Sequence, residues 1–308
     1  MVQIALTFLM LFIPLTDIAD DFTVIQDGKT LVSAHRSEFM ETLLGKEVID
    51  INKFNYFLQQ IDQKTYQPPV NAKIDKYGSI VPEQVGYRLD HQKFKHSFYR
   101  YYFGRGHSQI EVPRLTLHPR VDSELLSDIR IKRIGQYVTY FNSRNKQRSH
   151  NISLASEAIN NQVVFPGELF SFNEIVGKRT KERGYLLAPV IVKGELSEGI
   201  GGGICQVSST LYNAVDHAGL EIVQRYSHSR RVPYVPRGRD ATVSWYGPDF
   251  AFRNKLNQPI LIQSKIYGGQ LIVLILSSDA INYNQKNIPR APNKLPIEIN
   301  IERNSDSK

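Results

Sequence analysis

The sequence predicts an α+β fold. A small N-terminal α+β domain precedes a second domain, in which a helix carrying Cys205 at its N-terminus packs on an antiparallel β-meander. Residues 22–35 alternate apolar and polar side chains around Asp27-Gly28, a two-residue hairpin turn. Residues 49–61, and the run that follows Cys205, place apolar side chains at helical spacing. Residues 220–278 contain short β-branched and aromatic runs separated by turn signals, which is the pattern of a meander.

The order of these patterns predicts the domain organisation. Residues 21–120 hold the hairpin, the first helix, a strand pair around Gly78, a second helix and a strand that ends at Pro119. Residues 121–144 are charged and polar, so we expect a linker there. Residues 145–280 form the second domain, and residues 281–308, rich in Pro, Asn and charge, are expected to be a flexible tail.

Composition and charge limit the classes of function. The chain has 308 residues, of which 41% are hydrophobic and 22% charged, as in globular proteins. Its net charge of +8 favours polyanionic neighbours such as cell-wall polymers, anionic lipid or nucleic acid. Nucleic acid is disfavoured because the densest basic cluster, Arg230, Arg231, Arg237 and Arg239, is interleaved with Pro and Tyr and forms no continuous run.

The N-terminus indicates export. Val2 to Ile13 is an apolar run of the length of a signal-peptide core and is too short to span a bilayer. We therefore expect residues 1–20 to direct the protein to the cell envelope or outside the cell, and to bring the chain close to the membrane. The alternative is a buried N-terminal strand or helix.

Cys205 is the only cysteine, so the chain forms no internal disulfide and has no cysteine cluster for zinc; no metal or cofactor is expected. Apolar residues from Val207 to Ala218 recur at helical spacing, and Gly219 stands where a helix takes a left-handed cap. Cys205 is thus predicted in the first helical turn, where the helix dipole lowers the pKa of a thiol. Gly201, Gly202, Gly203 and Gln206 are candidate oxyanion donors.

A cysteine nucleophile needs a base, and the base needs a group that orients it. His228 and Asp240 follow Cys205 in that order, each in a predicted strand, and are assigned as general base and orienting residue. This arrangement is analogous to that of papain-like and transglutaminase-like enzymes. The alternative is that Cys205 packs as a small core residue, that His228 is a core or surface histidine, and that Asp240 caps a turn.

Arginines and tyrosines after the helix leave two interpretations open. The four arginines of the basic cluster, Arg230, Arg231, Arg237 and Arg239, either form a solvated face or clamp carboxylates. The aromatic residues nearby either belong to the core or stack on sugars: Tyr226, Tyr234, Trp245 and Tyr246.

Four segments of the second domain resemble successive motifs of the VanW family: PGELFSFNEIVGKRTKERGY, GGGICQVSSTLYNA, HSRRVPYVPRGRDATVSW and DFAFRNKLNQPI. The resemblance covers about residues 145–278. In addition, PPVNAKIDKYGSIVPEQVGYRLDHQKF resembles a peptidoglycan-binding domain. The family's motif residues correspond to Phe170, Asn173, Gly177, Gly201, Gly202, Gly203, Cys205, Gln206, Ser208, His228, Tyr234, Asp240 and Asn254.

The resemblance implies an exported protein that acts near peptidoglycan. We expect acyl transfer or amide hydrolysis on peptide stems, with Cys205 as nucleophile. The alternative is a non-catalytic envelope-binding protein of the vancomycin-resistance accessory type, in which the loop before the helix holds a carboxylate or a sugar. A structural or regulatory interaction with a protein partner is a third possibility. The expected ligand-binding residues are Gly201, Gly202, Gly203, Gln206, Ser208, Arg230, Arg231, Tyr234 and Arg239.

Overall fold

The structure, a computed structural model, describes residues 20–192 and 195–293. The predicted export segment therefore lies almost entirely outside the described residues. The described chain divides into two compact units. Unit 1 contains residues 20–71 and Glu83–Arg120, and unit 2 contains Ala72–Pro82, 121–192 and 195–293. Helices and strands occur in both, which confirms the predicted α+β class.

The helices of the described chain are α1 (Ile51–Thr65), α2 (His91–Tyr102), α3 (Ser123–Ile129), α4 (Lys146–Ile159), α5 (Phe172–Val176) and α6 (Ile204–His217). The first nine strands are β1 (Asp21–Gln26), β2 (Lys29–His35), β3 (Met40–Leu43), β4 (Lys46–Ile49), β5 (Lys73–Ile74), β6 (Ile80–Val81), β7 (Gly86–Leu89), β8 (Ser108–Glu111) and β9 (Arg114–Leu117). The others are β10 (Lys132–Tyr140), β11 (Gln162–Val164), β12 (Leu169–Ser171), β13 (Leu187–Val192), β14 (Glu195–Ile200), β15 (Glu221–Gln224), β16 (Ala251–Arg253), β17 (Ile260–Tyr267) and β18 (Gln270–Ser277). No described helix is long and apolar enough to cross a membrane.

Unit 1 is built on a three-stranded sheet of order β2-β1-β8, covered by α1 and α2. The hairpin turn predicted at Asp27-Gly28 joins β1 to β2, and both turn residues have positive φ. Its core is a cluster of aromatic rings that includes Phe22, Phe54 and Phe98, all fully buried. These rings pack edge to face or tilted, as aromatic side chains prefer.

Unit 2 contains two larger antiparallel sheets, the two-stranded antiparallel sheets β5-β6 and β13-β14, and a central helix. The larger sheets have the orders β10-β18-β17-β11 and β12-β16-β15, so the predicted meander is divided between them. Helix α6 packs on β10, β18 and α4. Nearly all of its residues are buried, which explains its largely apolar and small-polar sequence. As predicted, it begins beside Cys205 and is followed by Gly219 in the left-handed conformation, with φ of +79°.

The expected linker, residues 121–144, is part of unit 2. It contains α3 and β10, and β10 pairs with β18 from Lys132 to Tyr140. The charged residues obscure an alternation that buries Gly135, Tyr137 and Thr139, and Ile134 is buried at the register shift between Arg133 and Gly135. Residues 72–82, expected in the first domain, also belong to unit 2.

The expected flexible tail also packs on unit 2 in its described part. Ile281 is 4% exposed and lies in the core. The Tyr137 hydroxyl donates to the Pro289 carbonyl at 2.9 Å, and the Lys286 N–H donates to the His217 carbonyl at 3.0 Å. Residues 281–293 therefore pack along unit 2 as an extended segment. Ile281 anchors the segment in the core, and its polar residues lie on the exposed side. Residues 294–308 lie outside the described residues.

Replacing Ile281 with alanine tests this anchoring. We expect the variant to lose about 2–4 kcal/mol of unfolding free energy, because a buried isoleucine leaves a cavity. Urea unfolding followed by the fluorescence of Trp245, the single tryptophan and a residue of unit 2, measures the loss. Ile266→Ala is the matched control: that side chain is 37% exposed, and its loss should cost about 1 kcal/mol or less. Equal losses in the two variants would contradict the anchoring.

Candidate active site

Three glycines shape the start of α6. Gly201 and Gly203 have φ of +87° and +106°, values that favour glycine, and Gly203 is the residue that caps the helix. A side chain at Gly202 would place its Cβ 2.6 Å from the carbonyl oxygens of Ala188 and Pro189. The buried Asn151 amide donates to the Gly202 carbonyl at 3.1 Å and fixes the turn. The glycine run is therefore needed for the backbone path that brings Cys205 into the first helical turn.

His228 and Asp240 form a hydrogen-bonded pair that interacts with Cys205. The Asp240 Oδ2 oxygen accepts from the His228 backbone N–H at 2.6 Å and lies 2.7 Å from His228 Nδ1. The imidazole also interacts with the Cys205 thiol, because each of the two groups shifts the pKa of the other. Since Nδ1 faces Asp240, Nε2 is the ring nitrogen left for the sulfur. The structure thus brings the three predicted residues into one neighbourhood.

The electrostatics of the group favour its charged form. Burial raises the pKa of the Cys205 thiol, but the interaction with the His228 imidazole and the charge of that ring outweigh burial and hold the pKa below its usual value. Burial likewise opposes the charge on His228, yet Asp240 and Cys205 raise its pKa to about 9. The hydrogen bonds from His228 lower the pKa of Asp240 despite its burial. These shifts favour a thiolate–imidazolium pair, whose two groups titrate together.

The thiol is partly exposed and lies against an irregular segment, residues 240–249. Its Sγ atom is 3.8 Å from the Thr242 hydroxyl and 3.5 Å from the Val243 carbonyl oxygen. The sequence predicted strands for residues 220–228 and 240–247. Only β15 forms, and His228 and Asp240 lie in loops. The backbone of the segment pairs with side chains instead of a sheet, as when the Ala241 N–H donates to the Ser209 hydroxyl at 2.9 Å.

Two expected ligand-binding residues have structural roles. Gln206 is fully buried: its Oε1 accepts from Arg148 at 2.7 Å, and its Nε2 donates to the Thr139 hydroxyl and the Tyr140 carbonyl, both at 3.0 Å. The Ser208 hydroxyl donates to the Ala241 carbonyl at 2.5 Å and ties α6 to the segment beside Asp240. Because α6 is buried, the polar atoms of both side chains need hydrogen-bond partners within the protein.

The structure also reduces the number of candidate oxyanion donors. The Gly201 N–H donates to the Leu186 carbonyl at 3.1 Å, so it is already paired. The Cys205 N–H belongs to the first turn of α6, where backbone donors have no acceptor within the helix. It is the donor best placed to stabilise negative charge that develops beside its own side chain.

Arg239 and Tyr234 are structural as well. Arg239 forms an ion pair with Asp216 at 2.8 Å and donates to Asn213 Oδ1 at 2.7 Å. Tyr234 belongs to the core, and burial raises its pKa well above the usual value. Arg230 and Arg231 are exposed to solvent, in agreement with the solvated-face interpretation.

The other motif residues support the loops around the site. Asn173 donates to the Ser244 and Pro248 carbonyls at 3.0 and 3.2 Å, and so holds the segment that contacts the thiol. Asn254 donates to the Val164 and Gln258 carbonyls, both at 2.9 Å. Phe170 stacks on Phe252 between β12 and β16, and Gly177 ends α5 with φ of +71°.

Sequence reasoning missed Arg179. Its Nη2 donates to Asn173 Oδ1 at 2.8 Å, and its Nη1 is buried without a hydrogen-bond partner among the described residues. Its stem lies beside Gly201, because a Cβ added there would be 3.3 Å from Arg179 Cβ. Burial lowers the pKa of the guanidinium, and the nearby acidic groups of Tyr185, Cys205 and Asp249 oppose that effect. An arginine in a predicted loop gave no periodic signal; only its place within a family motif set it apart.

We expect Asp240→Asn to weaken the thiolate. Without the carboxylate the imidazolium loses its partner, so the pKa of His228 falls and that of Cys205 rises toward 8.5. In the wild type the Cys205 thiol is protonated below its lowered pKa. Between that pKa and about 9, the pKa of His228, the thiolate and the imidazolium are present together. Alkylation of Cys205 by iodoacetamide at pH 6 should therefore slow by about tenfold or more. Asp279→Asn, at an exposed carboxylate, is the control; an unchanged pH profile in Asp240→Asn would contradict the assignment.

Arg179→Met should slow alkylation at pH 6 by about three- to tenfold, because a cation that favours the thiolate is lost. Iodoacetate should be affected more than iodoacetamide, since its carboxylate also benefits from the guanidinium. Arg179→Lys keeps the charge and should restore much of the rate, whereas a merely structural role would not be rescued in this way. Arg230→Met, at an exposed arginine, is the control. The same slowing for Arg230→Met would contradict a specific effect.

Comparison with known proteins agrees with the architecture of unit 2. Residues 147–276 match the family model described as VanW like protein. The chain is 57% identical over 303 residues to the uncharacterized protein YoaR of Bacillus subtilis (strain 168), which covers 98% of this chain and 100% of that protein. It is 34% identical over 109 residues to the vancomycin B-type resistance protein VanW of Enterococcus faecalis (strain ATCC 700802 / V583). That match covers 34% of this chain and 40% of that protein. No solved structure matches the chain. The chain belongs to the VanW family.

Proposed function

We propose that unit 2 is a cysteine-dependent enzyme that transfers or hydrolyses acyl groups of amides, and that its substrates are peptide stems of peptidoglycan. The observation that carries the proposal is the hydrogen bond between Asp240 and a His228 imidazole that interacts with Cys205, with a lowered thiol pKa and a raised imidazole pKa. A cysteine that packed only as a core residue would have no reason to meet a carboxylate-oriented imidazole.

The geometry supports a two-step reaction. In the first step the Cys205 thiolate attacks the amide carbonyl carbon, and the oxyanion that forms is stabilised by the Cys205 N–H at the start of α6. The His228 imidazolium gives its Nε2 proton to the leaving nitrogen as the C–N bond breaks, which leaves a thioester and a neutral imidazole. Asp240 keeps Nδ1 oriented and holds the ring throughout.

In the second step the neutral imidazole acts as a base. It removes a proton from water or from an incoming amine, whose oxygen or nitrogen attacks the thioester carbonyl. The carbon–sulfur bond breaks, and the thiolate and imidazolium are restored. Water yields hydrolysis and an amine yields acyl transfer; the choice depends on which acceptor reaches the partly exposed thiol.

The envelope substrate is supported by similarity and sequence. One relative is named for vancomycin resistance. The apolar run from Val2 to Ile13 and the net charge of +8 suit an exported protein among polyanionic wall polymers. In the same proposal unit 1 binds peptidoglycan and retains the protein near its substrate. The non-catalytic alternative keeps the envelope location and assigns the site to binding alone.

The test is turnover of purified muropeptides and intact wall by the full chain, followed by mass spectrometry of the products. Wild type should release shortened or exchanged stems. Cys205→Ala should lose at least about 10³-fold of the rate while it keeps its folded spectrum, because the nucleophile is absent. Arg230→Ala, at an exposed arginine of the same unit, is the control that should keep the rate. Equal turnover by Cys205→Ala would contradict the mechanism.

A further inference from the structure

Three exposed aromatic side chains lie in the segments that surround the thiol. Tyr226 is 48%, Trp245 41% and Tyr246 83% exposed. The sequence left open whether the aromatic residues here belong to the core or bind a ligand. The structure separates them, because Tyr234 is in the core and the other three are at the surface.

The backbone that carries these rings is fixed next to Cys205. Trp245 and Tyr246 form the corner of a tight turn in which the Gly247 N–H donates to the Ser244 carbonyl at 3.2 Å. The residue before the turn, Val243, supplies the carbonyl that lies 3.5 Å from the sulfur.

Two further bonds complete this fixation. The Ser244 N–H donates to the Pro248 carbonyl at 2.8 Å. The Asn173 side-chain amide donates to the carbonyls of both Ser244 and Pro248. The Tyr226 carbonyl accepts from the N–H of Thr242, whose hydroxyl is 3.8 Å from the sulfur. All three rings are therefore attached to backbone that is positioned together with the sulfur.

The chemistry of this surface suits a sugar ring. A pyranose has a face of C–H groups that packs on an indole or phenol ring, and its edge of hydroxyls needs hydrogen-bonding partners. Such partners are at hand: Lys178 Nζ is 5.1 Å from the centre of the Tyr246 ring, and the Gln224 amide lies 3.3 Å from the Tyr226 hydroxyl. Because Lys178 and Gln224 lie beside two of the rings, this surface differs from the apolar patch that a lipid surface requires.

We propose that Trp245 and Tyr246, with Tyr226 beside them, form a subsite that stacks on a pyranose ring of the substrate. The thiol then acts on an amide in a peptide that is still attached to its glycan, in preference to a free peptide. This inference rests on the proposed function, because it names the part of the substrate that lies next to the scissile amide.

Fluorescence of Trp245 tests the subsite directly, because it is the only tryptophan of the chain. Titration of the full chain with N-acetylchitotetraose should give a saturable change of indole emission. Tyr246→Ala should weaken the binding by about three- to tenfold, the range expected for the loss of one aromatic contact. Tyr267→Ala is the matched control, since that ring is 78% exposed at the turn between β17 and β18 and should leave binding unchanged. No emission change, or equal weakening in the two variants, would overturn the proposal.

Two other probes decide between occupants. Vesicles of phosphatidylglycerol or the amide N-acetylphenylalaninamide should leave the emission unchanged; a saturable response to either one without a response to the sugar would overturn a glycan subsite. The binding measurement is independent of turnover. Sugar binding without muropeptide turnover would contradict the proposed function alone, and turnover without sugar binding would contradict the subsite alone.

Discussion

The bond between Asp240 and His228 determines the arrangement of the site. One carboxylate oxygen holds the backbone N–H and the ring Nδ1 of the same histidine, so that both the position of the residue and the direction of its ring are fixed. Both side chains are nearly excluded from solvent, 7% and 9% exposed, which strengthens the interaction. With Nδ1 bonded to Asp240, Nε2 is the ring nitrogen left for the sulfur, and the interaction with this imidazole lowers the pKa of Cys205.

The rest of unit 2 serves to hold this arrangement. A buried helix delivers the sulfur, and the glycine turn before it allows the sharp approach. Ser208 and Ser209 bind the backbone of Ala241 from within the helix, so the segment with Asp240 cannot move independently of Cys205. Asn173 fixes the next part of that segment, and Arg179 in turn orients Asn173. Polar residues in a buried helix are tolerated because each one has a partner.

The sequence predicted the chemistry of the site better than its scaffold. The order Cys205, His228, Asp240 and the glycine caps of α6 followed from local rules, because helix ends and nucleophiles require particular residue types. The strands expected around His228 and Asp240 did not form. The backbone of these segments is hydrogen-bonded to serine hydroxyls and within turns instead. Gln206 was predicted to be an oxyanion donor, but its helix is buried on all sides. This burial depends on tertiary contacts, so the local sequence did not show it. Arg179 and the packed segment after Ile281 depend on contacts between distant parts of the chain, and no local pattern encodes them.

The central claim is that the His228 imidazolium lowers the pKa of the Cys205 thiol. Because the chain has a single cysteine, the ultraviolet absorbance of its thiolate near 240 nm, taken as the difference between wild type and Cys205→Ser across a pH titration, measures this pKa directly. The account predicts a midpoint below the ordinary thiol value, which His228→Ala moves upward. A midpoint near the ordinary thiol value of about 8.5, unchanged in His228→Ala, would contradict it.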